Sequence, residues 1–114
     1  MCTQTQLKKI TDEIMYGAKD ILGDKLRRII LYGSYGRGDF NNESDIDIMI
    51  LADIDNDEIH FYDEKICGIT SDLGIENNIM ISAYLKNKKI FDECLPILPF
   101  YQNVVKEGVE LYAD

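Results

Sequence analysis

Two short apolar runs, Ile29-Ile30-Leu31-Tyr32 and Ile46 to Leu51 broken only by Asp47, flank a polar stretch that carries Gly33, Gly36 and Gly38. Apolar runs of this length, bounded by Gly, Asn, Asp and Ser, read as strands. The first is apolar throughout, as a strand is when both of its faces are covered. Any fold for this chain has to bury these two strands and hold the polar stretch at their ends.

The polar stretch has chemistry of its own. Gly33 has no Cβ, so the backbone there can turn sharply and approach a ligand closely. Ser34 adds a hydroxyl and a backbone N–H just past the strand end. If residues 34–38 open a short helix or nest, their free N–H groups suit an anion such as phosphate. Gly36 and Gly38 keep the stretch thin, and Arg37 offers a fork of donors for phosphate oxygens or for the loop itself. The second strand, about 45–51, opens on Asp45-Ile46-Asp47. Residues i and i+2 of a strand share a face, so Asp45 and Asp47 lie together. Two such carboxylates repel unless a cation sits between them. Mg²⁺ held by one or two carboxylates plus substrate phosphates is the usual arrangement. A triphosphate on Gly33-Ser34 and a metal on Asp45 and Asp47 would support nucleotidyl transfer. Gly-Ser alone is an ordinary hairpin connection, and Asp-x-Asp alone an ordinary solvated strand face. Together, in this order and between two apolar strands, they favour function.

The rest of the chain supplies covering layers. Residues 3–22 read as a helix capped by Thr3 or Thr5, with Leu7, Ile10, Ile14, Ala18, Ile21 and Leu22 at spacings of three and four. Gly23 with Asp24 ends it, and 25–28 lead, solvated, into the first strand. One helical turn is expected across 35–39. Residues 52–56 read as a turn. The acids from Asp53 to Glu58 read as a helix cap and first turn, because an EF-hand loop from Asp53 would need glycine where Glu58 stands. A second long helix is expected over 57–74, ended by Gly74, with His60 solvated on its surface. A third strand is expected over 79–85. Lys86 to Lys89 read as a basic turn, 90–95 as a short helix stopped by Pro96, and 100–107 as a helix started by Pro99. Phe100, Val104 and Val105 would face the sheet, and 109–112 could add an edge strand. This order predicts an α/β (α+β) fold: a small mixed β-sheet with helices mainly on one face.

A chain of 114 residues predicts one domain, 1–114. Its net charge of −9 disfavours a nucleic-acid partner, whose phosphates would want a basic surface. A basic protein partner fits better. Cys2, Cys67 and Cys94 have neither zinc nor disulfide spacing and predict reduced thiols in a cytoplasm. No apolar run reaches the roughly 18–20 residues of a membrane helix, and the first residues lack signal-peptide order. The sequence is compatible with an oligomer.

Gly33-Ser34, ten residues, then Asp45-x-Asp47 resembles the signature of the nucleotidyltransferase superfamily related to DNA polymerase beta. The short length is similar to its smallest branch, the minimal nucleotidyltransferases, some of which are antitoxins that AMPylate HEPN-type ribonuclease toxins. The resemblance runs from Ile29 to about Leu111. It implies that fold, ATP as substrate, Gly33 and Ser34 on the triphosphate, and Asp45 and Asp47 on Mg²⁺. It implies transfer of AMP to a protein hydroxyl, that of a HEPN-type toxin. Catalysing members usually carry a third carboxylate on a later strand. In the stretch 78–85 Met80 or Ser82 stands at that point, and Asp72 and Glu76 precede it. That departure opens the alternative of a nucleotide-binding antitoxin or regulatory module, weak or inactive in catalysis, that acts by contact. Antibiotic nucleotidyl transfer is a weaker third reading, since no second domain is evident to hold a sugar acceptor.

Overall fold

A computed structural model describes residues 3–41 and 44–114. The elements in order are helix α1 (Gln4–Leu22), a 3-10 turn (Gly23–Lys25), strand β1 (Leu26–Tyr32), short helix α2 (Gly33–Arg37), strand β2 (Ile46–Ala52), helix α3 (Asn56–Asn77), strand β3 (Ile81–Asn87), helices α4 (Lys88–Cys94) and α5 (Pro99–Glu107), and strand β4 (Val109–Ala113). The strands form one sheet in the order β3-β2-β1-β4. β1 is antiparallel to both β2 and β4, whereas β2 and β3 are parallel, so the sheet is mixed as expected.

The two faces of the sheet differ. Leu26, Ile29 and Leu31 of β1 and Ile46, Ile48 and Ile50 of β2 pack with Ile10, Ile14, Ala18 and Leu22 of α1 and Ile66 and Leu73 of α3. Each of these leucine and isoleucine side chains contributes roughly 1.5–3 kcal/mol by leaving water, and Ala18 less. The alternate residues Ile30, Tyr32, Met49 and Leu51 pack with Phe91 of α4 and Val104 of α5. Both long helices therefore lie on one face, and two short ones cover part of the other.

The α1 reading holds in detail: Thr3 Oγ1 accepts the Gln6 N–H at 3.1 Å. At the start of α3, Asp55 occupies the N-cap and the Glu58 carboxylate accepts the Asp55 N–H at 3.4 Å. Several boundaries differ from expectation. β1 begins at Leu26, so Arg27 and Arg28 lie inside a strand rather than before it. Ion pairs to neighbouring segments let them sit there: Arg27 with Asp53 and Asp114, and Arg28 with Glu110. α3 runs through Gly74 to Asn77. Asn78 (φ 53°) takes the left-handed cap position instead, and Asn77 Nδ2 donates to Leu73 O at 2.8 Å. Gly74 serves close packing, since a Cβ there would meet Ile79 O at 2.7 Å. The longer helix delays β3 to 81–87. Lys86 to Lys89 are therefore the end of β3 and the start of α4, where Asn87 Oδ1 accepts the Ile90 N–H at 2.9 Å. Phe100 does not bury against the sheet: it stays 53% exposed, while Val104 is buried.

Cys67 and Cys94 are free thiols, and Cys2 lies outside the described residues. His60 is exposed beside Glu64, as expected for a solvated helix surface. Among the described residues no helix is long and apolar enough to cross a membrane.

Candidate active site

The antiparallel register of β1 and β2 sets Tyr32 opposite Asp47. Gly33-Ser34, which follows Tyr32, is thereby brought to the Asp-x-Asp at the start of β2. Gly33 has φ 70°, a left-handed conformation that favours glycine. A Cβ there would stand 2.5 Å from Asp47 Oδ2, so only glycine lets the chain pass so close to this carboxylate. α2 begins at once, at Gly33, rather than two residues later. Its last turn closes on Ser34 O, which accepts the N–H groups of Gly38 (2.9 Å) and Asp39 (3.0 Å). Tyr35 is buried and stacks on Phe40, with ring centroids 4.3 Å apart, which fixes the turn against the core. The first N–H groups of a helix have no partner within it, and here they begin beside Asp47.

Asp47 sits on the face of β2 that carries Met49 and Leu51, away from α1 and α3. Asp45, two residues earlier, is exposed on the rim. Burial pushes the Asp47 carboxyl above the ordinary carboxylate range, and the charge of Asp45 pushes it further, against a smaller opposing pull from Arg37. A carboxylate whose ionisation is opposed by burial and by a neighbouring carboxylate makes a site that gains from a cation. Arg37 holds Asp39 Oδ2 at 3.0 Å and Glu107 Oε2 at 3.2 Å, so it ties α2 to α5.

The parallel register of β2 and β3 sets Ser82 beside Asp47 and Tyr84 beside Met49. Met80 lies just before β3, 64% exposed, and its carbonyl accepts the Ile46 N–H at 2.9 Å. Asp72 and Glu76 are exposed on α3, whose packed face meets the other side of the sheet. Among the described residues no three His, Cys, Asp or Glu side chains gather as a metal-holding group.

Sequence reasoning missed the surroundings of the carboxylates. A cleft of about 460 Å³ opens at Tyr32, the residue paired with Asp47, and is lined by Tyr32, Met49, Tyr84, Lys86, Leu98, Phe100 and Tyr101. A smaller recess of about 210 Å³ continues past Phe100 to Gly33, Arg37, Asn103 and Glu107. Burial raises the Tyr32 phenol, and the nearby Asp47 and Tyr84 raise it further. The alternation Ser82, Tyr84, Lys86 was the available signal for one wall. The α5 wall had none, because Phe100 read as core. A separate hollow of about 490 Å³, lined by residues such as Thr70, Gly74 and Ile79 between α3 and β3, has no ionisable lining.

The pattern of the nucleotidyltransferase domain family matches residues 15–108. Two relatives from Methanocaldococcus jannaschii, each named "putative protein adenylyltransferase", are 33% and 36% identical to this chain. The first match covers 92% of this chain and 97% of the relative, the second 93% and 99%. Among solved structures, a toxin–antitoxin crystal structure with AMP-PNP superposes with a TM-score of 0.58 at 24% identity, over 91% of this chain and 73% of that one. A variant of the toxin–antitoxin MntA-HpeT gives 0.56 at 21% identity with the same coverage. At these identities the two structures establish the shared fold.

Proposed function

The chain belongs to the nucleotidyltransferase domain family and is a nucleotidyltransferase, and from that premise we propose that it transfers AMP from ATP to a hydroxyl group of a protein partner, releasing pyrophosphate. The observation that carries this reading is the approach of Gly33 to Asp47, which brings the Gly33-Ser34 turn to the start of the Asp-x-Asp strand. The names of the Methanocaldococcus jannaschii relatives support a protein acceptor, and the toxin–antitoxin neighbours are in keeping with a toxin as that acceptor; its HEPN type rests on the sequence resemblance alone.

Gly33 and Ser34 would hold the triphosphate by backbone N–H groups and the Ser34 hydroxyl, and Asp45 and Asp47 would hold Mg²⁺. The donor set fits this ion: hard carboxylate oxygens, one of them on a half-buried side chain whose ionisation is disfavoured until a cation arrives. When bound, Mg²⁺ supplies neutralisation of phosphate charge and alignment of the attacking and leaving oxygens. In the reaction the acceptor oxygen bonds to the α-phosphorus, the bond to the β-phosphate oxygen breaks, and the acceptor's proton passes to solvent. Arg37 is assigned to hold α2 against α5, with phosphate contact as its second role. The free thiols Cys67 and Cys94 are in keeping with a cytoplasmic setting for a single domain.

A second reading is a nucleotide-binding module that blocks its partner by contact. Ser82 beside Asp47, where catalysing relatives usually have an acid, favours it. Purified chain, partner, Mg²⁺ and ATP labelled on either the α- or the γ-phosphate separate the two. Label on the partner from α-labelled ATP alone, lost in the Asp45→Asn/Asp47→Asn variant, is the expected result. A stable complex without label would leave the contact reading.

A further inference from the structure

We propose that the cleft at Tyr32, the strand partner of Asp47, with Tyr32, Met49 and Tyr84 on the sheet side and Leu98 and Phe100 on the α5 side, seats the nucleobase of the bound nucleotide. This rests on the nucleotidyl-transfer reading and adds the determinants of base recognition, which neither Gly33-Ser34 nor Asp45-x-Asp47 supplies. Tyr84 and Phe100 are its stacking surfaces, and Lys86 is the donor at its far end.

The placement follows from register. Tyr32 is paired with Asp47, and Met49, paired with Tyr84, is the next residue along that face of β2. Two residues of strand span roughly 6.6 Å, about one sugar's breadth from the carboxylates. Lys86 pairs with Leu51, one more step in the same direction. A nucleotide held by its phosphates at Gly33 and Asp47 therefore finds an aromatic surface on this side, whereas in the opposite direction β2 runs out at the exposed Asp45. The size also fits: about 460 Å³ lies within the ~300–1,000 Å³ of small-molecule sites.

The lining has the chemistry of a planar, partly polar ligand. Tyr84 is 48% and Phe100 53% exposed, so both rings are open to a partner. Phe100 meets Tyr32 edge to face at 5.8 Å, which holds its ring in place. Lys88 is tied to Asp92, whereas Lys86 forms no ion pair among the described residues. Its ammonium group donates only, so it would meet a ring nitrogen or carbonyl oxygen of the base.

The test titrates the full chain, with Mg²⁺, against ATP and against tripolyphosphate, which has the phosphates without the base. Wild type is expected to bind ATP more tightly, and Phe100→Ala to weaken ATP roughly tenfold, as loss of an aromatic–base stack does, with tripolyphosphate unchanged. Tyr84→Ala, at a second half-exposed position, should repeat the pattern, and melting curves verify that both variants fold. Equal affinities for the two compounds, unaltered by either variant, would overturn the base seat and leave the phosphate site standing. Binding of neither compound by wild type would overturn both. A variant that keeps its ATP affinity but raises KM for the partner protein would give the cleft to the acceptor, which also overturns the proposal.

Discussion

A side chain at Gly33 would collide with Asp47 Oδ2 and would have to hold a left-handed φ of 70°. The backbone conformation alone costs an L-residue about 1–2 kcal/mol. Gly33→Ala is expected to lose that much stability in denaturant unfolding, and to lose Mg²⁺-dependent ATP binding as well, because Asp47 has to swing aside. Asp47 itself titrates abnormally: burial and Asp45 raise its carboxyl, so the folded state prefers the proton more than the unfolded state does. The stability this contributes is fully present below the ordinary Asp range, near pH 4, and is lost as pH rises through the raised folded value. Asp47→Asn has no such dependence. In metal-free melts from about pH 3 to about pH 7, the variant should gain on wild type as pH rises, and saturating Mg²⁺ should reverse the gain. A constant difference across that range would contradict the assigned environment. Both residues were legible from sequence, because Gly-Ser and Asp-x-Asp are local patterns. Tyr32, Tyr84, Lys86 and Phe100 were not, because what joins them is the pairing of β2 with β3 and the docking of α5.

At the scale of elements, the long amphipathic helix α1 read correctly because its stripe and cap are written in consecutive residues. The end of α3 did not. Gly74 is the stronger stop signal in sequence, but Gly74 is used for packing on Ile79 O, and Asn78 closes the helix instead. That four-residue difference carries into β3, two residues later than expected, and turns the apparent basic turn at Lys86 to Lys89 into a strand end and a helix start. The cap can be tested directly. Asn78→Ala should cost about 1 kcal/mol, the left-handed penalty of an L-residue, whereas Asn78→Gly should cost nothing or stabilise. Chemical denaturation of the two variants compares them, and equal losses would contradict a left-handed cap. The register of β2 with β3 matters more for function than the boundary does. Because the pairing is Asp47 with Ser82, the sheet offers a hydroxyl where a third acid would complete the carboxylate set.

Across the whole molecule, the sheet divides the labour. One face is closed by α1 and α3 and supplies the larger hydrophobic cluster. The other carries Asp47 and is only partly covered by α4 and α5, which leaves the cleft open at its edge. The chain bears a net charge of −9, so a basic partner would be steered toward it, and more weakly as salt rises. Whether that partner is modified or only held is the central question. Intact mass of a candidate HEPN-type toxin answers it, after co-expression with wild type or with the Asp45→Asn/Asp47→Asn variant. Partner heavier by one or more AMP units with wild type, and unmodified with the variant, is the predicted result. An unmodified partner recovered in a stable complex with wild type would contradict protein AMPylation.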